Sequence, residues 1–283
     1  MPCYHPIEVG IKRKSLYTDR YLMDQQVVPC GSCVGCRQEQ SRQWAVRMMH
    51  EARMHESSVF VTLTLDNEHL NENSELCPKD FSGFVKNLRK TQQRRISFFG
   101  CGEYGETTQR PHYHALLFGV EFLDRDVGFD CNRPNVWRSQ TLEDTWRRGI
   151  CEGGNVTMAS ASYVAGYIRK KVKIKDYARA NPLTGELKAK EFARMSLRPA
   201  IGLRWIERHW RDVYPRDFVV IDGHEAKPPR YYDKWMDKNQ PAMMDLVRNK
   251  RYDDAIELTN YQLQAGEKIT QSRINLFATR AGI

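Results

Sequence analysis

The sequence predicts an α+β protein built on a central antiparallel sheet of about five strands with flanking helices, a split βαβ arrangement. Two observations carry this. Between residues 58 and 172, alternating apolar runs and runs of helical period succeed one another in the order β-α-β-β-α-β-α. The second and third strands are joined by the short loop "ETTQRP", which suits an antiparallel hairpin. With 283 residues, 41% hydrophobic and 28% charged, the chain is long enough to bury a core and has the composition of an ordinary globular protein.

Residues 1–57 read as a Cys-rich arm followed by a helix from about 38 to 55, with Trp44, Met48 and Ala52 four apart on one stripe. "SVFVTLTLDN" (58–67) alternates as a strand: Val59, Val61, Leu63 and Leu65 point one way, Phe60, Thr62 and Thr64 the other. Phe81, Phe84, Val85 and Leu88 fall at helical spacing over 78–92, and Pro78 suits the first turn, where its missing N–H is harmless. "RISFFGCGEYG" (95–105) and "HYHALLFGV" (112–120) read as the hairpin strands. A helix over 141–149, a strand over 154–160 and a helix over 161–172 complete the set, with the helices expected on one face of the sheet. Residues 58–198 thus form the expected core. Residues 199–283 form a mixed C-terminal extension in which Trp205, Trp210, Tyr231, Tyr232 and Trp235 are interleaved with Arg and Lys. Such aromatics either pack under loops or stack on unpaired bases.

Lys and Arg number 44 against 35 acidic residues, a net charge of +9. That balance suits either a polyanionic partner or a solvated basic surface. The longest apolar runs are too short to span a bilayer, and the N-terminus lacks the basic-then-apolar pattern of a secretory signal. The expectation is a non-secreted cytosolic protein with no membrane partner.

Cys30, Cys33 and Cys36 form "CGSCVGC", and Cys3 lies near the N-terminus. In a reducing compartment clustered thiols favour metal over disulfide. Zn²⁺ takes four soft ligands in a tetrahedron. The double C-x-x-C turn supplies three, with Gly31 and Gly35 freeing the backbone to curl, and Cys3 is the most economical fourth ligand, with His5 the alternative. The competing readings are free thiols, a redox pair or an iron–sulfur cluster.

Strand alternation puts His112 and His114 on one face and Tyr113 on the other. Two imidazoles need a third ligand, and the hairpin offers Glu103 at the end of the preceding strand or Glu106 in the loop. Two imidazoles and one carboxylate leave positions open for a phosphate oxygen and water, which suits Mg²⁺ or Mn²⁺. In "YVAGYIRKKV", Tyr163 and Tyr167 are four apart on a helix and Lys170 falls on the same stripe, while Ala161, Val164, Ala165, Ile168 and Val172 supply an aliphatic face opposite. The tyrosines are therefore either half-buried packing residues or a pair of phenols presented for chemistry. A phenol that attacks a phosphodiester holds the cut end as phosphotyrosine, with Lys170 or Lys171 offsetting charge. Two such nucleophiles allow two cuts with exchange of ends.

The order of a threonine strand, an H-x-H strand and a two-tyrosine helix resembles the three motifs of the HUH endonucleases, carried by "FVTLTL", "HYH" and "YVAGY". "CGSCVGCRQEQSRQW" and "GEYGETTQRPHYHALLFG" are similar to the replication initiators of gokushovirus-type microviruses, phages with single-stranded DNA. The resemblance covers roughly residues 30–172. It implies an HUH endonuclease fold (RRM-like) and a rolling-circle initiator that nicks and rejoins single-stranded DNA at an origin, leaving a 3′-hydroxyl primer. It makes His112, His114 and Glu103 (with Glu106 in reserve) the metal ligands, Tyr163 and Tyr167 the nucleophiles, and Lys170 or Lys171 their assistants. The expected setting is the cytoplasm of a bacterial host. Because no G-x-x-x-x-G-K-[ST] occurs, a host helicase and polymerase are the expected partners. A transposase or relaxase of the same chemistry is the nearest rival. A zinc-dependent hydrolase and a non-catalytic, zinc-containing DNA-binding protein are the more distant ones.

Overall fold

In a computed structural model, residues 3–14, 21–105, 108–128, 130, 132–133, 135–171, 185 and 187–280 are described, with side chains left undescribed at 11–14, 21–24, 167–171 and 277–280. The elements run β1 (Ile7–Lys14), β2 (Tyr21–Val28), α1 (Val34–Ala52), β3 (Ser58–Thr64), α2 (Pro78–Thr91), β4 (Ser97–Tyr104), β5 (Pro111–Phe118) and β6 (Val136–Trp137). They continue with α3 (Gln140–Trp146), β7 (Cys151–Asn155), α4 (Met158–Lys171), β8 (Phe192–Met195), α5 (Leu203–Val213), β9 (Val219–Ile221), β10 (His224–Ala226), α6 (Arg230–Asn239), α7 (Pro241–Asp253) and α8 (Asn260–Arg280).

The chain forms two compact units, one of residues 1–40 and 251–283 and one of residues 41–250. In the larger unit a six-stranded antiparallel sheet has the order β6-β7-β3-β5-β4-β8. Its middle four strands, in chain order β3, β4, β5 and β7, lie side by side as fourth, first, third, second, which is the split βαβ arrangement. The edge strands β6 and β8 make the sheet one strand larger than expected. β8 lies in a stretch so polar that it reads as loop, and β7 begins at Cys151 rather than at residue 154, because α4 already starts at Met158.

Alternation divides the strand residues between two cores. Val59, Val61, Leu63, Tyr113, Ala115 and Leu117 pack with Phe81, Phe84 and Leu88 of α2 and with Leu142 and Trp146 of α3. Phe99, Cys101, Leu116 and Phe118 pack on the other face with Ala45 and Met48 of α1 and with Ala161, Val164 and Ala165 of α4. Helices on one face alone were expected; the sheet is covered on both. The reason is that Phe99, Leu116 and Phe118 make the second face as apolar as the first along half the strand length. On β4, the face toward α2 has no side chain at Gly100 or Gly102. A Cβ there would stand 2.2 Å from the Phe81 ring and 2.6 Å from the Phe192 ring, so the missing side chains admit both aromatics against the strand.

A third cluster joins α5, α6 and α7 to Val46 of α1. Trp205 and Tyr232 lie inside it, both stacked against His50 and against each other, so packing rather than base stacking accounts for these two aromatics. Trp210, Tyr231 and Trp235 are partly buried against the same cluster. Arg47 is held between the rings of Trp44 and Tyr231, at 4.0 and 3.9 Å, and donates from Nε and Nη2 to the Ile201 carbonyl.

In the smaller unit, β1 and β2 form an antiparallel hairpin with Ile7 opposite Val28. The sequence pattern assigns no strand to this Cys-rich arm, and the hairpin is added by the structure. Tyr4, Cys33 and Val34 pack with Leu263 of α8, and the Tyr4 hydroxyl is 2.7 Å from Thr270 Oγ1.

Candidate functional site

The β3–β5–β4 register builds the site. Thr62 stands opposite His114 and Thr64 opposite His112, while on the other side of β5 Glu103 stands opposite His112. Residues paired across antiparallel strands share a face, so two threonines, two histidines and one carboxylate emerge together beside α4. The Thr62 hydroxyl lies 3.0 Å from His114 Nδ1 and the Thr64 hydroxyl 3.0 Å from His112 Nδ1. Each imidazole is thereby fixed through one nitrogen and turned to present the other. His114 Nε2 meets Glu103 Oε1 at 2.6 Å, both side chains being buried. The Tyr163 hydroxyl donates to the same Glu103 oxygen at 3.0 Å. The Tyr163 ring stands edge-on to His114 at 5.2 Å, and Phe60 stacks on His114 at 5.9 Å.

His112 lies beside this group, its ring 6.5 Å from that of His114. Its Nε2 faces the backbone of Gly105, where a Cβ would come within 3.0 Å. Burial, and then the neighbouring His114, lower its pKa from the ordinary value, so it is a neutral donor at neutral pH. Tyr113 is turned to the opposite face and fully buried, its hydroxyl donating to the Cys77 carbonyl, and burial raises its pKa.

On α4, Ala161, Val164 and Ala165 are fully buried and Tyr163 is 45% exposed, so the helix seats its aliphatic side and leaves the phenol accessible. Tyr167, Lys170 and Lys171 belong to the same helix, but their side chains lie outside the described residues, as does Glu106 entirely. Sequence reasoning noted the shared face of Thr62 and Thr64 without giving them a role. The in-register pairing of "TLT" with "HYH" is the signal that assigns them to the ring nitrogens. Glu152 was missed altogether. It stands opposite Thr62 and is gripped by Arg133 through two bonds of 2.8 and 2.9 Å.

A separate group of donors lies in the smaller unit. The ligand atoms of Cys3, Cys30, Cys33 and Cys36 all fall within 4.8 Å of one another, the one such cluster among the described residues. Cys3 and Cys33 sulfurs are 3.9 Å apart. A tetrahedron of thiolates about 2.3 Å from a central ion has edges of about 3.8 Å, so the donor set fits a four-coordinate metal such as zinc. Gly31 makes the turn with φ of +75°, while Gly35 lies in the first turn of α1. The Cys33 sulfur accepts from the Cys36 N–H at 3.4 Å, capping that helix, and Cys30 sulfur accepts from the N–H groups of Cys33 and Ser32. Burial pushes the Cys30 thiol up, but those N–H groups outweigh it and bring it down to about 6. Burial raises Cys3 and Cys36. His5 is engaged elsewhere, its Nε2 2.7 Å from Glu267 on α8, which leaves Cys3 as the fourth donor.

An α+β sheet with a threonine strand, an H-x-H strand and a tyrosine helix converging on one face defines the class, an HUH-like fold. Residues 58–172 match the family described as Replication-associated protein ORF2/G2P. The chain is 32% identical over 278 residues to Replication-associated protein VP4 of Bdellovibrio phage phiMH2K, covering 93% of this chain and 84% of that one. It is 32% identical over 282 residues to Replication-associated protein ORF2 of Spiroplasma virus 4 (89% and 86% covered). With Replication-associated protein ORF4 of Chlamydia phage 1 it shares 28% over 214 residues (72% and 52%). The chain belongs to this family of microvirus-type replication-associated proteins. No solved structure matches it.

Proposed function

We propose that the protein initiates rolling-circle replication by nicking and rejoining single-stranded DNA at its origin through a 5′-phosphotyrosine. The observation that carries this reading is the single oxygen, Glu103 Oε1, shared by His114 Nε2 and the Tyr163 hydroxyl. The expected nucleophile thus meets two of the expected metal ligands, His114 and Glu103, at one oxygen, with His112 beside them. His112, His114 and Glu103, with Glu106 in reserve, form a donor set of two imidazoles and a carboxylate suited to Mg²⁺ or Mn²⁺. Bound there, the ion would polarise the scissile phosphate.

The chain's own residues do the rest. Glu103 orients the Tyr163 phenol and is the nearest base for its proton. Tyr163 Oη then attacks phosphorus and the P–O3′ bond breaks. The leaving O3′ takes up the proton that Glu103 received from the phenol and becomes the 3′-hydroxyl, and the new 5′-phosphotyrosine ester conserves the bond for rejoining. Tyr167, one turn along α4, serves as the second nucleophile, and Lys170 or Lys171 offsets the phosphate charge. Zinc on the four cysteines has a structural role. A host helicase and polymerase in the bacterial cytoplasm would extend the freed 3′-hydroxyl. Among the described residues no helix is long and apolar enough to cross a membrane.

The test is to incubate the protein with labelled single-stranded DNA from its own replicon and Mg²⁺ or Mn²⁺. A denaturant-resistant protein–DNA adduct is expected, lost with EDTA and in the Tyr163→Phe, Tyr167→Phe double variant. Metal-independent, fully reversible binding would sink the reading, and release of both cut ends would point to a hydrolase.

A further inference from the structure

The face of the sheet that packs against α2 carries a feature that the nicking site does not use. Between α2 and the β4–β8 edge runs an open groove of about 630 Å³, continuous with a second hollow of about 470 Å³ through their shared lining of Arg89, Phe98, Met195 and Leu197. Phe98 points to the face opposite Glu103, and five residues of strand separate the two by about 17 Å. The groove is therefore a separate place.

Its chemistry is one-sided. The charged residues lining the two hollows are Lys86, Arg89 and Arg194 in the first and Arg89, Arg95 and Arg198 in the second, with no carboxylate in either. Among the described residues none of these five cations is paired with an acid within salt-bridge reach, although the chain has 35 acidic residues to draw on. Two of the guanidinium groups are held in place by neutral acceptors. Arg89 Nη2 donates to the Ile96 carbonyl at 2.7 Å and Arg194 Nη1 to Ser82 Oγ at 2.5 Å, leaving their remaining N–H groups for an incoming anion. The floor is apolar: Phe98 is partly buried beneath Arg89, and Leu197 is 74% exposed.

Fixed cations along a groove with an aromatic floor suit a chain of phosphates bearing flat bases, and they suit a membrane or an acidic peptide less well. We propose that this groove is a second binding surface for single-stranded DNA, with phosphates on the arginines and a base against Phe98 and Leu197. The proposal rests on the reading of the protein as one that handles single-stranded DNA. It adds that the strand is gripped at a place remote from the tyrosines.

The test compares the full chain with an Arg95→Glu, Arg194→Glu, Arg198→Glu variant, and with a Gln version in case charge reversal disturbs folding. Binding is read by fluorescence anisotropy, over a salt series, on an oligonucleotide long enough to reach both faces. The variant is expected to bind about tenfold more weakly, with a salt slope lower by about 2, since each single-strand phosphate left without its cation takes about 0.7 from the slope. Adduct formation on a saturating short oligonucleotide confined to the nick should be unchanged. If wild type binds and forms adduct while the variant keeps the same affinity and slope, the groove proposal falls and the nicking reading stands. If wild type forms no adduct yet the variant loses DNA affinity, the nicking reading falls and the groove stands. A variant that keeps its DNA affinity but loses binding to poly-glutamate overturns the proposal in favour of an acidic protein partner.

Discussion

The two threonine hydroxyls of the site solve a problem of proton placement. With His114 Nε2 donating to Glu103, Nδ1 must accept, so the Thr62 hydroxyl donates to it. With Nε2 committed to a metal, Nδ1 carries the proton and the same hydroxyl accepts. A hydroxyl serves both tautomers, and a methyl serves neither. Thr62→Val is therefore expected to lower Mn²⁺ affinity about tenfold while Thr62→Ser keeps it, as read by calorimetric or fluorescence titration. Thr64 stands in the same relation to His112. The histidine pair was visible in the sequence, but its spacing alone was weak evidence and gained weight only from its place between a threonine strand and a two-tyrosine helix. The threonines became meaningful only with the strand register, because alternating threonines are common on any sheet.

At the scale of elements, the Cys-rich turn shows how a local motif is completed by distant chain. "CGSCVGC" was readable as three ligands, and the structure brings Cys3 to it across 27 residues, with the Cys30 N–H donating to the Cys3 sulfur at 3.2 Å. The hairpin of β1 and β2 between them was not readable, since Ile7–Lys14 and Tyr21–Val28 mix charges with apolar residues and lack a two-residue turn signal. If zinc occupies the cluster, Cys33→Ser removes a ligand and the helix cap together. The expected result is a fall from one zinc per chain to none by elemental analysis, with Tm lower by roughly 10 °C in calorimetry. The helices α1 and α2 were placed to within a few residues by their apolar period. β8 was missed because its four residues are too few to show a strand period and follow a polar, loop-like stretch.

At the scale of the whole molecule, the charge on folding is set in part by His50. It is fully buried, stacked on Trp205 at 3.5 Å, and its Nδ1 meets the Tyr232 hydroxyl at 2.9 Å. Burial lowers its pKa from 6.5 to about 3. The unfolded chain takes up this proton near pH 6.5 and the folded chain not until about pH 3, so stability falls as pH drops through that window. Urea midpoints should decline from pH 6.5 towards pH 4 in the wild type. In His50→Phe, which keeps a ring and cannot titrate, that decline should be shallower. Asp124, whose pKa is lowered, loses its stabilising charge only below about 3.8, outside most of this range.

Gly100 and Gly102 carry one further consequence, for descent. Their bare α-carbons lie under Phe81 and Phe192 on the strand that also carries Glu103. Any mutation there adds at least a methyl, which must push a ring aside or tilt the strand, and a tilt moves the carboxylate on its other side. Lineages of this protein should therefore drift freely in the exposed loops while these two positions stay fixed, although neither touches DNA or metal. In such a lineage the history of the Glu103 carboxylate would be recorded in the glycines behind it.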